Sequence, residues 1–185
     1  LDPHTAGVTL RRTNSSTGGP EYTVVFAGAA ASCMLDATTR DVDRFAVAGA
    51  AAVADGVLAG ALALTAHHLR ERRQFGRALA TFQAVAQQVA DVYVTARAMH
   101  LAAVSAAWRL DTGRDADEDL EIAAYWLAAE LPKALQVCHH LHGGLGVDIT
   151  YPLHRYFSQA KDLARLVGGA SARLTALGRR EQGEA

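Results

Sequence analysis

Cysteine and aromatic residues are scarce in this chain, and neither sign of charge dominates it. Only Cys33 and Cys138 occur among 185 residues. They lie far apart, at no spacing that suits a metal site or a disulfide framework, and are expected to be reduced, buried thiols in a cytoplasmic protein. A formal net charge of -1 gives no electrostatic case for nucleic acid or an anionic membrane. The chain opens at Leu1 with no charged segment followed by an apolar one, so a secretory signal is not recognisable. Aromatics make up 6% of the residues while alanine abounds, which favours close helix approach over thick Leu/Phe packing. The stretch from Phe45 to Ala66 has a single charge, Asp55, and imitates a membrane span. Its Ala and Gly content gains little from lipid, and a central Asp would cost about 2.5–3.5 kcal/mol to insert. A buried helix is the expectation.

The length allows one good core, or one domain with a short appendage. Gly7 to Thr13 and Glu21 to Phe26 are β-branched runs flanking the turn-rich Asn14–Pro20 segment, a hairpin pattern. Two strands cannot bury both faces, so residues 1–37 are expected to be the end of a β domain whose earlier strands are missing. From there the pattern is helical. The first helix is expected from Asp41 to Arg73, capped by Thr38 or Thr39, and the second from an N-cap at Thr81 to Leu110. A third runs from Glu118 to Leu141, kinked or split by Pro132. Tyr151-Pro152 starts a fourth, reaching Leu166, and a last runs from Ala170 to Leu177. The fold class is mostly α: an antiparallel four-helix-type bundle over 38–178, after a short hairpin remnant, with a flexible tail at 179–185. Trp108, Trp126 and Tyr93 are expected in the core, and one bundle face is expected to stay apolar for a partner subunit.

Two motifs carry chemistry. Glu71-Arg72-Arg73-Gln74-Phe75-Gly76-Arg77 places cations, a ring and a glycine at one corner, and His140-Leu-His142-Gly143-Gly144-Leu-Gly146 ends the third helix. Each has an ordinary alternative: arginines that favour a helix C-terminus, with Gly76 as the left-handed residue that ends the helix, and glycines that stop one. Together, with Phe82-Gln83-Ala84-Val85, Tyr151-Pro152 and Ala160-Lys161, their order and spacing resemble the C-terminal helical domain of the acyl-CoA dehydrogenases, from about Asp41 to about Leu174.

The resemblance implies an FAD-dependent enzyme that removes hydrogens from Cα and Cβ of an acyl-CoA thioester, a carboxylate taking the α proton and a hydride passing to the flavin. It implies that one subunit's Arg-x-Gln-Phe-Gly corner and Gly-Gly loop hold the ADP half of a neighbour's FAD. Arg72 would then meet the pyrophosphate, Phe75 would pack near the adenine end, and Gln74 between them would be a further cofactor-binding residue. Gly143 and Gly144 would admit the diphosphate, and His140 stands where the family usually has Gln. A planar guanidinium and a backbone without Cβ suit phosphate oxygens in any case. The family's usual glutamate base falls at Val167, which cannot accept a proton. In some branches the base precedes an Arg on the first helix, and Asp43 takes that place here, one methylene shorter. As an ordinary alternative, Asp43 favours the helix N-terminus and pairs with Arg40 or Arg44.

Three readings follow: a catalytic subunit using Asp43; a catalytically silent partner in a homo- or hetero-oligomer with another acyl-CoA dehydrogenase subunit, keeping the residues that serve a neighbour; or a flavin-free helical interaction module. The silent-partner reading is favoured, because the neighbour-serving residues are intact whereas the base loop is not. No metal site is expected; His139 and His142, like His67-His68, read as surface or core histidines.

Overall fold

The computed structural model describes residues 2–31, 33–34 and 36–182. An antiparallel ribbon, β1 (Val8–Thr13) and β2 (Glu21–Phe26), pairs Val8 with Phe26 and Thr13 with Glu21. The helices follow: α1 (Thr39–Glu71), α2 (Gln83–Asp111), α3 (Asp117–Ala129), α4 (Leu131–His142), α5 (Leu153–Leu166) and α6 (Ala170–Glu181).

The spine of the bundle is α1, which packs against α2, α3, α4 and α5. Its buried residues Val47, Ala51, Ala54, Leu58, Ala61 and Thr65 recur at three or four, so one continuous stripe faces inward. Their small size lets neighbours approach: a Cβ at Gly60 would stand 2.9 Å from the Tyr156 ring on α5. Leu127, Leu131, Leu135 and Leu153 fill the space between, fully buried. By length and composition α1 could cross a membrane; here it is the central helix, and its Asp55 pairs with His100 of α2 at 2.8 Å. Cys138 is buried, which pushes its thiol up, and Cys33 is exposed.

Thr38 caps α1 in a reciprocal box, accepting from the Asp41 N–H while Asp41 accepts from the Thr38 N–H. Pro132 splits the third expected helix at Glu130, because its missing N–H suits the first turn of α4 and no later turn.

Several expectations are corrected. The first helix stops at Glu71, and Arg73-Gln74 and Arg77-Ala78 form a two-residue-loop hairpin, β3 and β4, turning on Phe75 (φ 53°) and Gly76 (φ 78°). Thr81 lies in a 3₁₀ turn, its hydroxyl donating to the Ala78 carbonyl, so Phe82 takes the N-cap position of α2 without a side-chain cap. Residues 179–181 continue α6, where Arg180 is held by Asp117; the end of the expected tail, 183–185, lies outside the described residues. Tyr93 and Trp108 are about half exposed (56% and 49%) on an outward stripe of α2 with Leu101 and Val104, and only Trp126 packs against the core.

Candidate functional site

The first group of site residues gathers at the C-terminal end of α1. Arg72 follows the last helical turn, and its N–H donates to the His68 carbonyl while its carbonyl accepts from the Leu79 N–H, which fixes the backbone. Across from it α4 ends at Gly143 (φ 60°), and a 3₁₀ turn over Gly143–Val147 carries the chain away. His68, Glu71, Arg72, His142, Gly144 and Leu145 line one open cleft of about 540 Å³. A Cβ added at Gly143 or Gly144 would meet nothing within 4 Å, so both backbones face free space where a ligand can approach. Gly146 differs: a Cβ there would press on the His139 carbonyl at 3.0 Å, so its glycine serves packing.

Of the residues expected at this corner, the structure brings Arg72 and Gly144 into the cleft, with Gly143 adjoining. Gln74 and Phe75 stand on the β3–β4 hairpin outside the cleft lining, Phe75 90% exposed with its ring edge-on to Phe82. Holding an exposed aromatic at positive φ costs stability, a feature common where a side chain is presented to a ligand. Arg77 covers the Phe82 ring at 3.9 Å. His140 is exposed on the outer side of α4 and does not line the cleft.

Two cleft residues were read from sequence only as ordinary histidines. His142 is buried, its Nδ1 2.8 Å from the Cys138 carbonyl and its Nε2 3.1 Å from the Tyr151 hydroxyl. A carbonyl can only accept, so Nδ1 carries the proton and Nε2 accepts from Tyr151. Burial keeps this ring below the ordinary imidazole value, the Cys138 bond opposing in part. His68 stacks on it with ring centroids 4.4 Å apart. The signals were present: His68 precedes Arg72 by one helical turn, and His142 adjoins Gly143.

The second group sits at the other end of α1. Asp117, at the start of α3 with its side chain 8% exposed, takes ion pairs from Arg40, Arg44 (2.9 Å) and Arg180 (3.3 Å). Burial acts to raise this carboxyl, but the Arg40 bond and the charges of Arg44 and Arg180 outweigh it and hold it below the usual carboxylate range. Arg40 and Arg44 therefore serve Asp117, which corrects the expectation that they pair with Asp43. Arg173 of α6 donates to the Val167 carbonyl and to Glu121 (3.0 Å), and stands 4.0 Å from Asp43. Arg173 thus links the Asp43 side chain and the Val167 backbone, the two positions at which the resemblance leads one to expect a base. Val167 is buried, 2% exposed, whereas the Asp43 side chain is 64% exposed at the rim of a recess of about 130 Å³. Among the described residues no group of three or more His, Cys, Asp or Glu could hold a metal.

Comparison with known proteins places these two ends in context. The family model for the acyl-CoA dehydrogenase C-terminal domain matches residues 37–181. Acyl-CoA dehydrogenase FadE28 of Mycobacterium tuberculosis is 48% identical over 183 residues, 97% of this chain and 54% of that protein. FadE27 of the same organism is 38% identical over 132 residues, 67% of this chain and 35% of its own. The chain spans about half the length of FadE28 and a third of FadE27. Among solved structures, a Tcur3481-Tcur3483 steroid ACAD variant superposes with a TM-score of 0.93 at 34% identity, over 100% of this chain and 52% of that one. The ChsE4-ChsE5 complex from Mycobacterium tuberculosis gives 0.91 at 32%, over 100% and 51%. With its bundle, its Arg72–Gly144 cleft and these matches, the chain belongs to the acyl-CoA dehydrogenase family, as a bearer of its C-terminal domain.

Proposed function

We propose that this chain is part of a subunit of an FAD-dependent acyl-CoA dehydrogenase, a class that oxidises acyl-CoA thioesters between Cα and Cβ, and that it is a non-catalytic partner in an assembly with another such subunit. One observation carries this reading: Arg72 and Gly144 converge on an open cleft at one end of α1, while at the other end the expected base position is the buried, non-ionisable Val167 and the Asp43 side chain is largely exposed. From residue 43 to residue 72, at 1.5 Å per residue, is about 43 Å. A single extended dinucleotide cannot bridge that distance, so the cleft serves a different site from the one that Asp43 borders.

The open space over Gly143 and Gly144 and the adjacent guanidinium fit a diphosphate. In this reading Arg72 engages the pyrophosphate of FAD, Gly143 and Gly144 let it approach, and Phe75 lies near its adenine end. FAD, when bound, supplies the hydride acceptor. The structures with TM-scores of 0.93 and 0.91 carry paired names, which supports a hetero-oligomer, and one is titled a steroid ACAD, which supports a steroid side chain as the acyl group. The outward apolar stripe of Tyr93, Leu101, Val104 and Trp108 suits a subunit contact. The β1–β2 ribbon exposes Leu10, Tyr22, Val24 and Phe26, as strands that belong in a larger sheet would.

A second reading has one observation in its favour. Arg173 donates to the Val167 carbonyl and stands 4.0 Å from the Asp43 carboxylate, which supports a carboxylate within reach of the expected base position. Co-purification of the full-length protein with its partner subunit separates the readings. One flavin per two chains, with turnover kept in Asp43→Ala and lost when the partner's glutamate is changed, supports the silent partner. One flavin per chain, with bleaching by an acyl-CoA lost in Asp43→Ala, makes Asp43 the base. Absence of flavin leaves a helical interaction module.

A further inference from the structure

We propose that His68, as its imidazolium, is a second phosphate-binding residue of the Arg72 cleft, so that a diphosphate and a proton are taken up together. The inference rests on the reading of this cleft as the nucleotide end of a flavin site and adds to it a residue and a pH dependence.

The geometry assigns the two stacked histidines different tasks. Both nitrogens of His142 are committed, one to the Cys138 carbonyl and one to the Tyr151 hydroxyl, so that ring is a fixed, neutral platform. His68 lies on the platform at 19° to it and lines the cleft with Arg72 and Gly144. No hydrogen bond among the described residues engages the His68 ring. A half-buried imidazole with free nitrogens, one turn from a guanidinium and across from an open glycine backbone, can donate to phosphate oxygens once protonated.

The surroundings keep that proton off until an anion arrives. Burial first, then the positive charge of Arg72 just past the end of its helix, hold His68 below the ordinary imidazole value, and any proton on His142 or His67 would press the same way. Glu71 is the acidic side chain in the cleft lining, and Tyr151 stays behind His142 with its own hydroxyl raised by burial. A phosphate anion within about 4–6 Å reverses the balance and favours the charged ring. Linkage then requires that affinity fall as pH rises between the free and the bound values of His68.

FAD is the appropriate probe because its diphosphate diester does not titrate near neutrality. Calorimetry of the flavin-stripped, full-length assembly with FAD, in two buffers of different protonation enthalpy, reads the protons taken up directly. Wild type is expected to take up a fraction of a proton per FAD, greatest between the free and bound values of His68, with affinity falling by at most about tenfold per pH unit in that range. His68→Phe keeps a ring on His142 but cannot charge. It and His68→Gln should lose this uptake and bind about tenfold more weakly at pH 6, the worth of one charge-assisted bond. Arg72→Lys should weaken binding at every pH and leave the uptake intact. Uptake unchanged in both His68 variants would overturn the proposal while the flavin reading stands; failure of wild type to bind FAD would overturn both.

Discussion

The two ends of α1 are built from the same residue types to opposite effect. At its start, arginines and carboxylates of α1, α3 and α6 satisfy one another around Asp117 and Arg173, leaving a recess of about 130 Å³. At its end, Arg72 makes no ion pair among the described residues, Glu71 beside it included; it faces the glycine backbone across a cleft of about 540 Å³ that is open. An arginine surrounded by acids is a structural tie, whereas one opposite a bare backbone awaits an anion from outside. The end that would house this chain's own chemistry is thus the self-satisfied one.

Substitutions at the open end should move ligand binding and spare stability. Arg72→Ala is expected to weaken FAD retention about a hundredfold, as loss of a charge-assisted bidentate contact, with an unchanged unfolding midpoint. Flavin absorbance after gel filtration, beside a thermal melt, checks both. The closed end should behave conversely. Asp117→Asn leaves Arg40, Arg44 and Arg180 without their shared carboxylate and should cost about 2 kcal/mol, lowering the melting midpoint by about 4–8 °C with flavin affinity retained. A smaller sharpening comes from Gly144→Val. The added side chain has free space, so the melt should hold while FAD affinity drops roughly tenfold; an equal loss of stability would show that the cleft is a packing feature. Acid should loosen the closed end. The Asp117 carboxyl is depressed in the fold, so its contribution is complete above the unfolded value of about 3.9 and is lost as pH falls through the folded value. A melt series from pH 5 to pH 2 should fall less steeply in Asp117→Asn than in wild type. Asp43→Ala, at an exposed side chain, should alter turnover by less than about twofold in the silent-partner reading; loss of turnover would erase the contrast between the ends.

Much of the bundle was legible because its signals are local. The Thr38 box, the periodicity of small residues on α1 and the break at Pro132 each act within a turn or two. What failed to show depended on distant partners. Arg180 looked like a loose tail because its reason to be helical, Asp117, lies 63 residues earlier. Tyr93 and Trp108 carry the same residue types as a core, and only the packing of α2 shows that they face outward. In the site, glycines and Arg72 declared themselves by motif. His68 and His142 adjoin those motifs in sequence, but their stacking on one another is encoded by no spacing within either segment.

The β1–β2 turn touches the bundle at one carboxylate: the N–H groups of Ser16 and Thr17 donate to Asp162 of α5 at 2.8 and 3.0 Å, and Arg165 adds an ion pair to Glu21. Asp162 is made 146 residues after Ser16. At the usual 5–20 residues per second of synthesis, the ribbon waits roughly 7–30 s for its anchor. Throughout that interval nothing of the helical bundle holds the strand pair, so its docking onto α5 is a late step of folding.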